Sequence, residues 1–359
     1  MPVGNWGSTA PLDASASHTP SPNPTTHKPQ TRPSARGHIV WNVWPALEAC
    51  TRVGQQGPRS CLQGRAGMDR SAIGSQYRNA LREVLEEGEC IPTPQRVDAL
   101  TRMQVCMEYP LESGYPVITE RSLAKFWRKP IGEMCAFING VTRIEELAEF
   151  GCDWWQPWAT LERTSMRGLD VGDLGPGSYG GAFHDFPQPD GGRFNQFDNL
   201  VEQILTKPHR RTHFITPWIP YYQYPESGLG RKSIVAPCHG WVHVRVISGR
   251  LHLHLYQRAG DMAVGVPANM LQYAALLVML SSLTGYPGHS YYHTVSDAHI
   301  YVNQVAAVEE MLARTVRPLP RLVLNEKGRA VQNIHDFRAD HFELHDYNPH
   351  PALRVPVSV

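Results

Sequence analysis

The sequence predicts an α+β protein built around one large sheet. Three observations carry that prediction. Strand-like and helix-like segments follow one another irregularly, with no internal repeat, as in α+β domains and unlike regular βαβ winding. The stretch "WVHVRVISGRLHLHLYQR" alternates apolar and polar residues through two arms around Ser248-Gly249, the period of a half-buried hairpin. The run "MLQYAALLVMLSSLTG" is too short and too polar to span a bilayer comfortably, and reads as a buried core helix.

At 359 residues, 42% hydrophobic and 19% charged, the chain has an ordinary globular composition. Length allows two domains, or one large domain and a tail. A net charge of +1 speaks against DNA or another nucleic acid as the main partner, although clustered arginines can still hold one small anion. Seven cysteines without a CxxC pair, and a start without a basic or apolar leader region, lead us to expect reduced thiols and a cytoplasmic setting.

Residues 1–67 are expected to form a disordered extension. "SASHTPSPNPTTHKPQTRPSARG" is rich in Ser, Thr and Pro and cannot bury enough surface to offset ordering. The folded domain is expected over 68–359, with Met68 a candidate start. The first amphipathic helix is "SQYRNALREVLEEG", with Tyr77, Leu81, Val84 and Leu85 at helical spacing and Gly88 at the C-cap. "RMQVCMEYPL" and "YPVIT" read as strands. A helix follows through "RSLAKFWRKPIGEMCAFING", kinked or broken at Pro130. "TRIEELAEFG" reads as a short helix with a Thr cap. "FDNLVEQILTKP" reads as a helix ended by Pro208, and "RRTHFITPWI" as a strand. After the hairpin, Pro267 opens the core helix at its first position. "AHIYVN" is a strand, "QVAAVEEMLAR" a helix and "RLVLN" a strand.

Cys238 is the candidate nucleophile. A lone cysteine is commonly a small core residue, but Pro-Cys-His before a strand places the thiol at a sheet end, where clefts form. A thiolate is the reactive form, and a neighbouring cation lowers its pKa. Arg210, Arg211 and Arg258 are available cations, suited to a phosphate dianion by bidentate contact. Arg210 and Arg211, adjacent on a strand, face opposite ways and need a bend or a second subunit to share a ligand. Asn269, early in the core helix, is either a cap or an amide that reads a base edge through one donor and one acceptor. His299 and Tyr301 share a strand face and suit sugar hydroxyls or a core pair. His243, His252, His254 and His293 lack metal-site spacing, so no metal is expected. "GPGSYGG" lacks the lysine of a phosphate loop.

Together these residues resemble the thymidylate synthase family. The blocks that carry the resemblance run in family order: "GYPVIT", "GEMCAFINGVT", "DWWQPWA", "DLGPGSYGG", "RRTHFITPW", "APCHGW", "LYQRAGD", "GVPAN", "DAHIY" and "DYNPHPALRVPVSV". The resemblance implies a large mixed sheet flanked by helices, in a homodimer packed sheet to sheet. It implies a pyrimidine nucleoside monophosphate as substrate and 5,10-methylenetetrahydrofolate as co-substrate, with no membrane partner. Cys238 is then the nucleophile that adds to carbon 6 of the base. Glu133 and Tyr179 belong to the acid–base network, with His239 and Asn269 counted beside them. Arg258 grips the phosphate from the same subunit, and Arg210 and Arg211 across the interface. Gln257, His299, Tyr301 and Asp261 contact substrate. Trp155, Trp158, Asp261, Gly265 and the closing Val359 belong to the folate site. Asn269 implies uracil, since a cytosine-specific relative would be expected to carry Asp there.

Three departures stand out against that pattern. The family's Arg-Thr-Gly-Thr-Gly loop is absent from "IPTPQRVDALTR", leaving Arg96 as a substitute cation. Ala259 stands for a serine, and Ala268 for a phenylalanine. The outcomes that compete are transfer of hydride to give thymidylate, addition of water to give a 5-hydroxymethyl nucleotide, and a non-catalytic nucleotide- or RNA-binding paralogue.

Overall fold

The computed structural model describes residues 74–224 and 230–358. The expected 1–67 extension and Val359 lie outside the described residues. Helix α1 (Gln76–Glu87) buries Tyr77, Leu81 and Val84 on one face. Gly88 follows it with extended backbone, and its N–H donates to Val84 O at 3.0 Å. The stop falls where expected, but without a left-handed cap, because the chain turns directly into strand β1 (Glu89–Ile91). Strand β2 (Ala99–Pro110) is longer than its apolar core suggested.

The expected strand "YPVIT" is not one. Val117 and Ile118 are fully buried, yet the segment joins no ladder; apolar patterning reports burial, not strand pairing. The expected long helix is confined to α2 (Arg128–Ile138). Pro130 sits in its first turn, where no intrahelical N–H is required, so it begins the helix instead of kinking it. The cap of α3 (Ile144–Glu149) is Arg143 rather than Thr142, with no side-chain bond. Two short helices, α4 (Leu161–Ser165) and α5 (Tyr179–His184), escaped the periodicity argument because each has little more than one turn.

A small ribbon of β3 (Phe186–Pro187) and β4 (Arg193–Phe194) leads to helix α6 (Gln196–Thr206). The Asn195 side chain caps α6 by accepting from the amides of Phe197 and Asp198. Strand β5 keeps only Phe214–Ile215 of its expected length, and α7 (Pro220–Gln223) follows. Strands β6 (Trp241–Ile247) and β7 (Arg250–Asp261) form the predicted hairpin, with Ile247 opposite Arg250. Ser248 (φ 51°) and Gly249 (φ 72°) are both left-handed, the two-residue turn that matches strand twist.

Helix α8 (Gly265–Thr284) starts two residues before Pro267 and ends at left-handed Gly285. Strand β8 (Gly288–Tyr301) begins ten residues before the predicted "AHIYVN". Helix α9 (Val305–Ala313) is as expected. Strand β9 (Arg321–Leu324), followed by α10 (Glu326–Ala330), leaves the main sheet and pairs with β10 (Phe342–His345).

The main sheet has six strands in the order β1-β2-β8-β7-β6-β5. All pairs are antiparallel except β7 with β8, so the sheet is mixed. Helix α8 makes the crossover between these parallel strands and packs on them, and on α2 and α6. Leu271, Leu276, Leu277 and Leu280 on it are fully buried. Truncating one, as in Leu277→Ala, costs about 2–5 kcal/mol. The crossover places the start of α8 beside the ends of β7 and β8, where the candidate residues gather.

Candidate active site

A cleft of about 610 Å³ opens at these ends. Cys238, Arg258, Asn269 and Asp261 line it, as do His299 and Tyr301. Gln257 and Gly265 complete the candidates on its wall. Glu133, Tyr179 and His239 are buried behind it.

Cys238 precedes β6. Its N–H donates to the Tyr179 hydroxyl at 2.7 Å, and its carbonyl accepts from the Arg258 amide at 2.6 Å. The Arg258 guanidinium donates to the sulphur at 3.4 Å. Burial pushes the Cys238 thiol above its ordinary value; Arg258 and Arg231 pull it down and Asp297 adds to the rise. The arginine neighbour lowers the thiol as predicted, but burial outweighs it. Gly240 (φ +108°) turns the chain from this loop into β6. A Cβ there would meet Phe183 at 2.8 Å and the Tyr273 hydroxyl at 3.1 Å, so only glycine satisfies both backbone and space.

His239 stacks on Tyr179, with ring centroids 4.4 Å apart, and its Nδ1 lies 2.7 Å from the Tyr273 hydroxyl. Burial pushes His239 down to about 3, so the ring is neutral near pH 7.

Glu133 is the hub of the buried polar groups. Its Oε1 accepts from Trp154 Nε1 at 2.7 Å, Trp155 Nε1 at 2.5 Å and Cys152 Sγ at 3.5 Å. Its Oε2 accepts from Gln272 Nε2 at 2.7 Å. Burial raises its pKa, and these four donors oppose the rise. Preceding it is Gly132, whose Cβ would fall 2.0 Å from the Phe150 carbonyl. Its lack of a side chain lets α2 approach the loop that carries the two indoles. Trp155 and Trp158 pack together at 5.8 Å, half-buried and outside the wall of the cleft.

Asp261 accepts from the amides of Ala263 (2.9 Å) and Val264 (3.0 Å) through Oδ1. Through Oδ2 it accepts from Gln304 Nε2 at 2.8 Å. Burial raises its pKa against the Gln304 bond and the nearby His299. The same Gln304 nitrogen donates to Pro356 O at 2.9 Å, docking the end of the chain beside Asp261.

Arg210 and Arg211 are exposed in the turn before β5, and neither lines the cleft of its own chain. Arg96 is also absent from the cleft. Its N–H closes a turn onto Thr93 O at 3.0 Å and the residue is exposed; Thr93 and Gln95 of the same loop reach the wall instead. The additional cation on the wall is Arg231. Among the described residues it has no ion pair; its one hydrogen bond is from Nε to Ser233 Oγ at 3.5 Å. Burial lowers its pKa, as do the like charges of Arg167 and Arg258. Sequence reasoning missed Arg231 because a basic residue in a loop carries no period. It also missed Gln272, Gln304 and Asp297, the last 3.2 Å from His299 Nδ1. Among the described residues no group of three or more His, Cys, Asp or Glu is placed to hold a metal ion. The family model described as thymidylate synthase matches residues 75–359 of the chain.

Proposed function

The chain belongs to the thymidylate synthase family, and from that membership we propose that it converts dUMP to dTMP with release of dihydrofolate. 5,10-Methylenetetrahydrofolate supplies both the carbon and the hydride when bound. The observation that supports this reading best is the sharing of one cleft by Cys238, Arg258 and Asn269: nucleophile, phosphate cation and base reader.

Cys238 adds its sulphur to carbon 6 of the base, which makes carbon 5 nucleophilic. Arg258, 3.4 Å from that sulphur, favours the thiolate. Arg258 and Arg231 take the phosphate dianion from within the chain. In a homodimer packed sheet to sheet, Arg210 and Arg211 reach it from the other protomer. Asn269 keeps one N–H and one carbonyl lone pair beyond its protein bonds, which suits O4 and N3–H of uracil. His299 and Tyr301 suit the sugar hydroxyls. Glu133, helped by Tyr179 and neutral His239, handles the proton that carbon 5 loses. Asp261, a half-buried carboxylate oriented by Gln304, suits a donor-rich pterin edge, and Gly265 leaves room beside it. Trp155 and Trp158, outside the nucleotide cleft, suit the apolar side of the folate, and the tail held at Pro356 closes the site against water.

A second reading, 5-hydroxymethylation of dUMP or of CMP or dCMP by water, is favoured by small Ala259 on the wall of the cleft and by Ala268. Incubation of the full chain with dUMP and methylenetetrahydrofolate separates the two. A methylated product with a rise in dihydrofolate absorbance supports the synthase. A hydroxymethyl product without that rise overturns it, and no product with dUMP, dCMP, UMP or CMP overturns both.

A further inference from the structure

Asn269 is clamped between two other amides. Its Nδ2 donates to Gln272 Oε1 at 3.0 Å, and its Oδ1 accepts from Gln257 Nε2 at 3.0 Å. Beyond Gln272 lies Glu133, at 2.7 Å. Beyond Gln257 lies His293, whose Nε2 is 2.9 Å from Gln257 Oε1. All five residues are buried.

An amide turned over by 180° keeps its shape, so its sense is assigned from its partners. Here two partners have no choice: the Glu133 carboxylate, and the Ala259 carbonyl, which accepts from Gln257 Nε2 at 3.0 Å. When ionised, Glu133 only accepts, and its other oxygen already receives two indole N–H groups that only donate. Gln272 must therefore present its NH₂ to Glu133 and its carbonyl to Asn269. Asn269 answers with its NH₂, which leaves its carbonyl facing the NH₂ of Gln257. The Gln257 carbonyl then accepts a hydrogen bond from His293 Nε2–H. Burial pushes His293 down to about 3, so the neutral ring has one N–H, and this bond fixes where it sits. A polarity fixed at Glu133 on one side and at the Ala259 carbonyl on the other thus runs through three amides.

The spare N–H and lone pair of Asn269 inherit that sense. Uracil meets them with an acceptor at O4 and a donor at N3. Cytosine reverses both positions. To read cytosine, Asn269 would have to turn over, setting carbonyl against carbonyl at Gln272 and NH₂ against NH₂ at Gln257.

We propose that Gln272 is the positioning residue that makes this site select uracil over cytosine nucleotides, by carrying the demand of Glu133 for a donor through to Asn269. The proposal rests on the nucleotide reading above.

Equilibrium binding of dUMP, dCMP, UMP and CMP to the full chain tests it. Two opposed polar contacts predict a uracil preference on the order of a hundredfold. Gln272→Leu should cut that ratio at least tenfold, mainly by gained cytosine-nucleotide binding. Glu133→Gln, which keeps size but removes the obligatory acceptor, should also lower the ratio, and it provides the measurement if Gln272→Leu does not fold. A ratio unchanged in either folded variant overturns the proposal. So does an equal loss of both bases, which marks a merely structural role, or a cytosine preference in the unsubstituted chain. An unsubstituted chain that binds no pyrimidine monophosphate overturns the nucleotide reading, and this proposal with it. Uracil selection that survives the substitutions overturns this proposal alone.

Discussion

Arg258 holds Cys238 twice: its amide donates to the Cys238 carbonyl at 2.6 Å, and its guanidinium donates to the sulphur at 3.4 Å. One residue near the end of β7 thus fixes the backbone of the proposed nucleophile and supplies its nearest positive charge. Burial works against that charge and keeps the thiol above its ordinary value.

Removal of the guanidinium should leave burial unopposed by its main counterweight. In Arg258→Leu, the pH midpoint for alkylation of Cys238 by iodoacetamide moves upward, with Cys238→Ala as the blank. An unmoved midpoint refutes the electrostatic role of Arg258. Cys238→Ala itself should lose product formation by on the order of a thousandfold or more while still binding nucleotide.

Arg231 lines the cleft without an ion pair among the described residues, and phosphate is its proposed ligand. Arg231→Gln should weaken binding of dUMP roughly ten- to a hundredfold, as expected for lost charged hydrogen bonds. Binding of deoxyuridine, which lacks the phosphate, should change less than about twofold on the same reasoning. Calorimetric titration of both ligands checks this. Equal losses for the two would show that Arg231 only supports the loop.

Acid should destabilise the fold through its buried neutral histidines. His239 and His293 are each pushed from 6.5 down to about 3. Between those values the unfolded chain binds protons that the folded chain does not. Their stabilisation is therefore complete above about pH 6.5 and falls with acidification, by about 1.4 kcal/mol per pH unit for each ring. Buried Glu133 and half-buried Asp261, with raised pKa values, act in the opposite sense as they gain protons. Denaturant titrations of the original chain and His239→Asn isolate one ring. From pH 6 to pH 4 the variant should lose less stability, by roughly 2 kcal/mol; parallel slopes would refute it.

Gln304 joins Asp261 to the tail through one nitrogen. Gln304→Ala frees Pro356 and removes a donor from Asp261. Steady-state kinetics should show KM for methylenetetrahydrofolate raised roughly tenfold, the usual scale for one lost hydrogen bond to a charged group. KM for the nucleotide should stay close to its original value. An equal rise in both would place the effect in the fold instead of the tail.

The hairpin, the core helix and the first amphipathic helix were legible in the sequence because each carries its own period or turn signal. Ser248-Gly249 and the alternation on both sides of it define β6 and β7 without reference to the rest of the chain. The early part of β8 was not legible. "GHSYYHTVSD" is polar and aromatic, and becomes strand because β2 and β7 satisfy its backbone from both sides. "YPVIT" erred in the other direction, apolar enough for a strand but lacking a partner.

The same division runs through the candidate site. Cys238, Arg258, Asp261, Asn269, His299 and Tyr301 stand in motifs at short spacing, and the sequence by itself determined the family and the residue types that bear its chemistry. Only the tertiary structure decided that Arg231, not Arg96, enters the cleft. It also decided that burial outweighs arginine at Cys238, and that Gln272 and Gln304 stand between functional groups far apart in the chain. Gln272 meets Glu133 across 139 positions. Local sequence encodes period, turns and charge. Desolvation and hydrogen-bond polarity arise from which distant segments share a buried space.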